Sequence, residues 1–440
     1  MRVGVVGCGH VGLVTAAALA RLGHDVRATD RDGERLELLG RGDVPFFEPG
    51  LAELVAEGVG AGRLSFVPAI ADAAADREVV FICVGTPPRA DGDANLAAVE
   101  RASRSIAHAA TGPLVVVEKS TVPAGTAERV RRTLARERPD VRFEVASNPE
   151  FLREGRAVED ALAPDRIVVG AETEGARRAL RRLYEPLTRA GHRLIETDIA
   201  TAELAKHACN AFLATKISFV NALARLCERS GADVRAVAEV MGSDPRIGPA
   251  FLEAGLGWGG YCFPKDLAAF GRLAEDLGYR FPLLDEVARI NDEAVAAALE
   301  KVRDALWNLE DKRVALLGLA FKPDTDDVRF SPALALAELL LREGASVVGY
   351  DPRAATAAKA EVPAMEVTED PYEAAADAHC AVVCTAWEEV RSLDLERLRA
   401  AMRYPILVDG RNVLDGQRAA ALGFSYHPMG RPPLDGGETP

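Results

Sequence analysis

No stretch of this 440-residue chain reaches about 18 consecutive apolar residues, the length a membrane-spanning helix requires, so no spanning segment is expected. Nor do a basic stretch, an apolar run and a small-residue cleavage site precede the first strand-like segment, which begins directly after Met1. Together these absences read as a soluble, cytoplasmic protein. The seven cysteines include no CxxC pair and no Cys/His spacing of a zinc site, and their odd number argues against a disulfide framework; no metal is expected. Cys8, Cys83, Cys380 and Cys384, in or beside strand-like segments, and Cys209 and Cys227, in a helical one, read as small buried apolar side chains. A basic surplus is lacking too. The formal net charge is −14, which disfavours nucleic acid and anionic membranes as partners and requires local positive pockets for any anionic ligand. The segment after Met429 has little apolar content, and 431–440 is expected to be a disordered tail.

What is present is a globular composition, 48% hydrophobic, on a chain longer than one ordinary core holds. Val3–Val6 reads as a strand, followed by Gly7-Cys-Gly-His-Val-Gly12, a small-residue helix to Leu22, and a second strand from Asp25 to Asp30. This is a βαβ unit with a dinucleotide fingerprint in its required context. Gly7 permits the tight turn, Gly9 lets the backbone approach a pyrophosphate, and Gly12 lets the helix pack on the sheet; the helix N-terminus offers N–H donors. Asp30 falls where a carboxylate meets the adenosine ribose, which favours NAD over NADP, although Arg27 and Arg31 lie nearby.

Further strands are expected at Val79–Val84 and Leu114–Glu118. They end in Gly85-Thr-Pro87 and Lys119-Ser-Thr-Val-Pro123, which makes Thr86 and Thr121 candidates for the cofactor cleft. A strand-end threonine is also an ordinary turn residue, so spacing alone leaves both roles open. The pattern recurs: strand Arg313–Leu317 ending at Gly318, helix Ser331–Arg342, strand Ala345–Tyr350 ending at Asp351, then strands at Ala381–Cys384 and Ile406–Val408. This second half lacks the GxGxxG and carries an extra loop, 321–330, whose Lys322 and Arg329 suggest a different, anionic ligand. Between the halves, 201–229 has neither proline nor glycine and reads as one long helix. Lys206 and Asn210 share a face of it, on a stripe that continues through Ala214 and Ile217. A helix-surface lysine beside an asparagine would look the same.

The expected fold is α/β, two Rossmann-like doubly wound domains joined by a helical middle domain. Residues 1–198 would be the dinucleotide-binding domain, 199–300 the helical and dimerising domain, and 301–430 the second Rossmann-like domain. Cys262, in Gly257-Trp-Gly-Gly-Tyr-Cys-Phe-Pro-Lys-Asp266, adds the chemistry. A thiolate can capture an aldehyde as a thiohemiacetal, from which a second hydride can leave to give a thioester, so one site could take an alcohol to an acid.

In order, the fingerprint, Phe47-Glu-Pro-Gly-Leu51, Gly85-Thr-Pro87, Ser120-Thr-Val-Pro123, Asn148-Pro-Glu-Phe-Leu-Arg-Glu-Gly155, Lys206 with Asn210, Gly259-Gly-Tyr-Cys-Phe-Pro-Lys-Asp266 and Gly318-Leu-Ala-Phe-Lys-Pro323 resemble the UDP-glucose/GDP-mannose dehydrogenase family. The resemblance runs from Gly7 to about Asn412. It implies an NAD-dependent four-electron oxidation of UDP-glucose to UDP-glucuronate, with GDP-mannose or a UDP-N-acetylhexosamine as alternative substrates. It makes Cys262 the nucleophile and Lys206, Asn210 and Asp266 the polar groups around it, while Glu154 and Thr121 order the hydrolytic water and meet the nicotinamide end of the cofactor. Cofactor contacts would come from Gly7, Gly9, His10, Val11, Gly12, Asp30, Arg35, Thr86, Thr121 and Glu154, with Lys265 and Arg329. Substrate contacts would come from Glu150, Phe151, Leu152, Arg153 and Glu154; from Lys206 and Asn210; from Phe251, Leu252, Glu253, Ala254, Gly255 and Gly259; and from Lys322 and Arg411. Arg246 resembles an arginine that reaches the sugar nucleotide of a neighbouring subunit, which implies a homodimer or larger homo-oligomer. Phe330, Ala386 and Tyr261 depart from the commonest family residues. A noncatalytic sensor of NAD and sugar nucleotide, or a simpler 3-hydroxy-acid dehydrogenase, would leave Cys262 and its polar neighbours without a purpose.

Overall fold

The computed structural model describes residues 1–89 and 93–436. The chain divides into two compact units, Met1–Cys209 with Ala268–Tyr279, and Asn210–Leu267 with the chain from Arg280 onward. The division falls inside two helices, Ile199–Ser230 and Cys262–Asp276.

The first unit is built on eight strands, β1 (Arg2–Val6), β2 (Asp25–Thr29), β3 (Leu64–Phe66), β4 (Val79–Ile82), β5 (Leu114–Glu118), β6 (Phe143–Ser147), β7 (Ile167–Ala171) and β8 (Leu194–Thr197), in the order β3-β2-β1-β4-β5-β6-β7-β8. All pairings are parallel except β6 with β7. Because side chains alternate along a strand, Val3, Val5, Val79 and Phe81 enter one core and Val6, Val80 and Ile82 another, on opposite faces. A sheet covered on both faces gives uninterrupted apolar runs rather than alternation, which is why β1 and β4 are legible in the sequence.

The second unit carries seven strands, β9 (Arg313–Leu317), β10 (Ser346–Tyr350), β11 (Glu366–Thr368), β12 (Cys380–Val383), β13 (Ile406–Asp409), β14 (Ser425–Pro428) and β15 (Leu434–Asp435), ordered β11-β10-β9-β12-β13-β14-β15. Among the described residues of this unit only β15 is antiparallel to its neighbour. Part of the segment expected to be a disordered tail is therefore ordered: Leu434 and Asp435 pair with Tyr426 and Ser425, since backbone hydrogen bonds to an open sheet edge need no apolar side chains. Residues 437–440 of that tail lie outside the described residues. Among the described residues no helix is long and apolar enough to cross a membrane.

Of the cysteines expected to be buried, Cys8, Cys83, Cys227, Cys380 and Cys384 are. Cys209 is only half-buried, with the Arg166 guanidinium 4.0 Å from its sulphur, so this helix position is not wholly enclosed by the core.

Candidate active site

In the first unit the β1 turn leads directly into the helix His10–Arg21. A Cβ on Gly12 would lie 1.8 Å from the Gly7 carbonyl oxygen, so helix and turn meet only through glycine. A Cβ on Gly9 would meet nothing within 4 Å, and Gly9 caps the helix without a side-chain hydrogen bond. The result is an open face at a helix N-terminus, the shape and charge a pyrophosphate requires. Val11 sits in the same first turn. Asp30 accepts from Cys8 N at 2.7 Å and lies 3.5 Å from the Arg35 guanidinium. NAD fits this cradle.

At the carboxyl ends of β4 and β5, the buried Thr86 hydroxyl donates to the Thr121 carbonyl at 2.9 Å. The Thr121 loop is anchored to the long helix: Glu203 accepts from Gly125 N (2.6 Å) and Ala127 N (2.9 Å), and His207 Nε2 lies 2.9 Å from the Val122 carbonyl. Burial pushes the Glu203 carboxyl up to about 7 and that of Glu118, at the end of β5, up to about 8.

The segment after β6 carries the carboxylates. Asn148 fastens its start, donating to Val168 O at 2.7 Å and accepting from Lys119 Nζ at 3.1 Å; burial lowers the Lys119 ammonium pKa. Glu150 is buried, pairs with Lys206 Nζ at 2.9 Å and accepts from Leu152 N at 2.6 Å. Phe151 lies beneath two cations, Arg166 at 4.0 Å and Lys206 at 5.4 Å. Arg153 is turned to Asp160, 2.8 Å from its backbone N–H. Glu154 precedes Gly155, whose φ is 79°.

In the second unit Cys262 opens a 15-residue helix, where the N-terminal dipole favours negative charge on sulphur. Asp266, one turn on, is fully buried and accepts from Asn210 Nδ2 at 2.6 Å, with Lys265 Nζ 2.7 Å from its other oxygen. Arg329 stacks on Tyr261 at 4.4 Å and chelates Asp327. The Lys322 ammonium lies 5.3 Å from the Phe321 ring centroid.

The resemblance makes Gly259 a substrate contact, and the structure gives the glycines before Cys262 a packing purpose as well. A Cβ on Gly259 would lie 2.2 Å from the Phe330 carbonyl, and one on Gly260 2.7 Å from the Phe321 ring. Smallness there admits the 321–330 loop, not only a ligand. The 251–260 segment is otherwise held by side chains the sequence did not single out. Asn221 accepts from Gly255 N at 2.8 Å, Asn291 accepts from Trp258 N at 2.7 Å, and Ser218 accepts from Trp258 Nε1 at 3.0 Å. Ser218 and Asn221 continue the Asn210 face of the long helix, and two buried polar residues on a packing face were the available signal. This scaffold buries Leu252 and Ala254, leaves Phe251 at φ 64° and exposes Glu253. Arg411 reaches the same segment, donating to Gly257 O at 3.2 Å and to Cys384 O at 2.7 Å, and burial lowers its pKa. Arg246 stands apart, 88% exposed and chelated by Asp244.

Residues 1–188 match the NAD binding domain of the UDP-glucose/GDP-mannose dehydrogenase family, 200–293 its central domain and 315–416 its UDP binding domain. A UDP-glucose 6-dehydrogenase of Rhizobium meliloti is 45% identical over 436 residues, 98% of this chain and 100% of that protein. The solved structure of a UDP-glucose dehydrogenase from Pyrobaculum islandicum superposes with a TM-score of 0.89 at 41% identity, covering 94% of each chain. That of a UDP-D-ManNAc dehydrogenase from Pyrococcus horikoshii gives 0.86 at 30% identity, covering 98% of this chain and 99% of that one. With all three domains matched in order over nearly its whole length, the chain belongs to the UDP-glucose/GDP-mannose dehydrogenase family.

Proposed function

We propose that this chain is a cytoplasmic NAD-dependent dehydrogenase that oxidises the C6 hydroxymethyl of UDP-glucose to the carboxylate of UDP-glucuronate. The observation that carries the reading is Cys262 at a helix N-terminus, one turn from the buried Asp266–Asn210 pair, in a chain whose other unit holds an open dinucleotide turn. Bound NAD supplies the hydride acceptor for both oxidations, two equivalents per sugar.

C6 first loses a proton from its hydroxyl and a hydride from carbon to become an aldehyde. The Cys262 thiolate adds to that carbonyl, forming a C–S bond and an oxyanion that Lys206 and Asn210 stabilise by charge and hydrogen bond. Loss of a second hydride gives the thioester. Water, oriented by Glu154 and Thr121, attacks C6; the C–S bond breaks and the thiolate returns. Asp266 and Lys265 hold the polar network beside the sulphur, and Arg411 and Lys322 supply positive charge for the nucleotide. The wild type should yield two NADH per UDP-glucose with no free aldehyde, read by absorbance beside GDP-mannose and UDP-N-acetylhexosamines. Cys262→Ser should stall after covalent capture, because an ester hydrolyses more slowly than a thioester. One NADH per sugar, or wild-type turnover by Cys262→Ala, would refute the mechanism.

The functional form is a homodimer. Phe212, Phe219 and Leu226, seven residues apart on the long helix, are 65%, 52% and 60% exposed, an apolar stripe that supports burial against a second copy. Arg246, free of its own unit's core, would exchange Asp244 for the partner's sugar nucleotide. Mixing inactive Cys262→Ala and Arg246→Ala chains should then recover activity; exchange of subunits without recovery counts against a shared site.

A further inference from the structure

Glu48 lies in the Phe47-Glu-Pro-Gly-Leu51 motif, to which the reaction assigns no role. Its side chain is fully buried. One carboxylate oxygen accepts from Ala157 N at 2.8 Å; the other accepts from Gly155 N at 2.7 Å and lies 2.8 Å from Nε2 of His10. These partners come from two separate segments of the chain. His10 is the first residue of the helix behind the dinucleotide turn, whereas Gly155 directly follows Glu154. The imidazole stacks on Phe46, ring centroids 4.7 Å apart, so it cannot swing away without losing that contact.

At the 2.8 Å between Nε2 and Glu48, hydrogen bonding and charge both favour a protonated ring. Charge is abundant there. Burial works against a protonated His10, but Glu48, Glu154 and Glu150 all favour it, and together they raise its pKa above the usual histidine value. Of these, Glu150 is itself paired with Lys206 and is also close enough to Lys119 to act on it. A pyrophosphate at the same turn would add further negative charge and favour the imidazolium again.

We propose that Glu48 is a positioning residue that joins the dinucleotide turn to the loop carrying Glu154, its single carboxylate holding both the N–H groups that follow Glu154 and the imidazolium of His10. NAD binding and the placing of Glu154 thereby answer to one proton. This rests on the reading of Glu154 as the residue that orients the hydrolytic water, and the coupling to the turn stands apart from it.

The test uses the full chain without sugar nucleotide first. The NAD dissociation constant, titrated by fluorescence between about pH 6 and 9, should rise about tenfold as His10 loses its proton. His10→Phe keeps a ring on Phe46 and should bind NAD without pH dependence, near the wild-type value at high pH. Glu48→Gln should move the wild-type midpoint down by about one pH unit, since it removes the nearest negative charge. A Glu48 that only stabilised the fold would lower Tm and leave the midpoint in place. Unchanged pH dependence in His10→Phe overturns the proposal even if Glu48→Gln does not fold.

With UDP-glucose, Glu48→Gln should lower kcat about tenfold with little change in KM and accumulate acyl-enzyme on Cys262, seen by intact-protein mass after acid quench. A drop in kcat without acyl-enzyme overturns the link to Glu154. If Glu154→Gln also fails to accumulate acyl-enzyme while the NAD titrations behave as described, the role given to Glu154 falls and the His10–Glu48 coupling stands.

Discussion

The two sheets share a plan: β3-β2-β1-β4-β5-β6 in the first unit corresponds strand for strand to β11-β10-β9-β12-β13-β14 in the second. Each first strand ends in a glycine whose N–H reaches the end of the second strand, Gly7 to Thr29 O and Gly318 to Tyr350 O, with an aspartate next in line. The two aspartates are used in opposite ways. Asp30 receives Cys8 N and Asp32 N, leans on Arg35, and still reaches the surface. Asp351 is buried and receives Leu319 N, Ala320 N and Trp387 Nε1 on one oxygen and Arg353 N and Ala354 N on the other. The helices differ likewise. The first starts at once and its Gly9 cap has no side-chain hydrogen bond; the second is delayed to Pro332 and capped by Ser331. A glycine turn with a following aspartate thus marks the topology, and a dinucleotide site needs in addition a carboxylate and N–H groups not already spent on the protein.

If the comparison holds, the largest effect should follow from Asp351→Ala, which strands five donors, four of them buried. A loss of about 3–5 kcal/mol is expected, read by urea unfolding, with NAD affinity unchanged. A neutral outcome would mean that water replaces the carboxylate and that Asp351 is no more committed than Asp30.

The fifth strands extend the comparison. Glu118 and Asp409 occupy matching registers, opposite Ile82 and Val383. Asp409 is met by Arg411 N, Leu414 N and the Tyr426 hydroxyl, whereas Glu118 has Ser120 N on one oxygen and a buried second oxygen that no group among the described residues meets with a hydrogen bond. Folded Glu118 therefore keeps its proton to about 8, against an ordinary 4.5 in the unfolded chain. Between those values the folded state binds the extra proton, so stability falls as pH rises and levels off above about 8. Glu118→Gln should remove a slope of up to about 1.4 kcal/mol per pH unit, measured as the difference between variant and wild-type denaturation midpoints from pH 7 to 8. An identical slope in both would place the titration elsewhere.

The smallest change is expected from Asp30→Asn. It should lower the NAD-over-NADP preference in kcat/KM about tenfold and leave stability within about 0.5 kcal/mol, because an amide oxygen at this position can still accept from a backbone N–H. A stability loss like that of Asp351→Ala would erase the distinction between the two aspartates.

Much of this was legible in residue order. The strands β1, β4, β5, β9 and β13 are short apolar runs with turn residues at their ends, and the helix Ile199–Ser230 lacks any breaker. The antiparallel β7 and the tail strand β15 were not, since neither shows in local pattern and both depend on an available sheet edge. The motif around Cys262 was legible as chemistry, but its glycines were explained only in part, because the Phe321 ring and Phe330 carbonyl that crowd them come from a loop about 60 residues away.

Sequence alone determined the features that arise within a few residues: the glycine turn of β1, the uncapped helix behind it, the long helix, and a thiol one turn from a carboxylate. Tertiary structure decided which polar groups are already spent. Asp30 and Asp351 have the same local setting, yet Trp387 and two turns of backbone consume one and not the other. Glu48 finds its donors more than 100 residues away, at Gly155 and Ala157. Hydrogen-bond capacity is shared among whatever groups packing brings within about 3 Å, and no spacing along the chain records that distance.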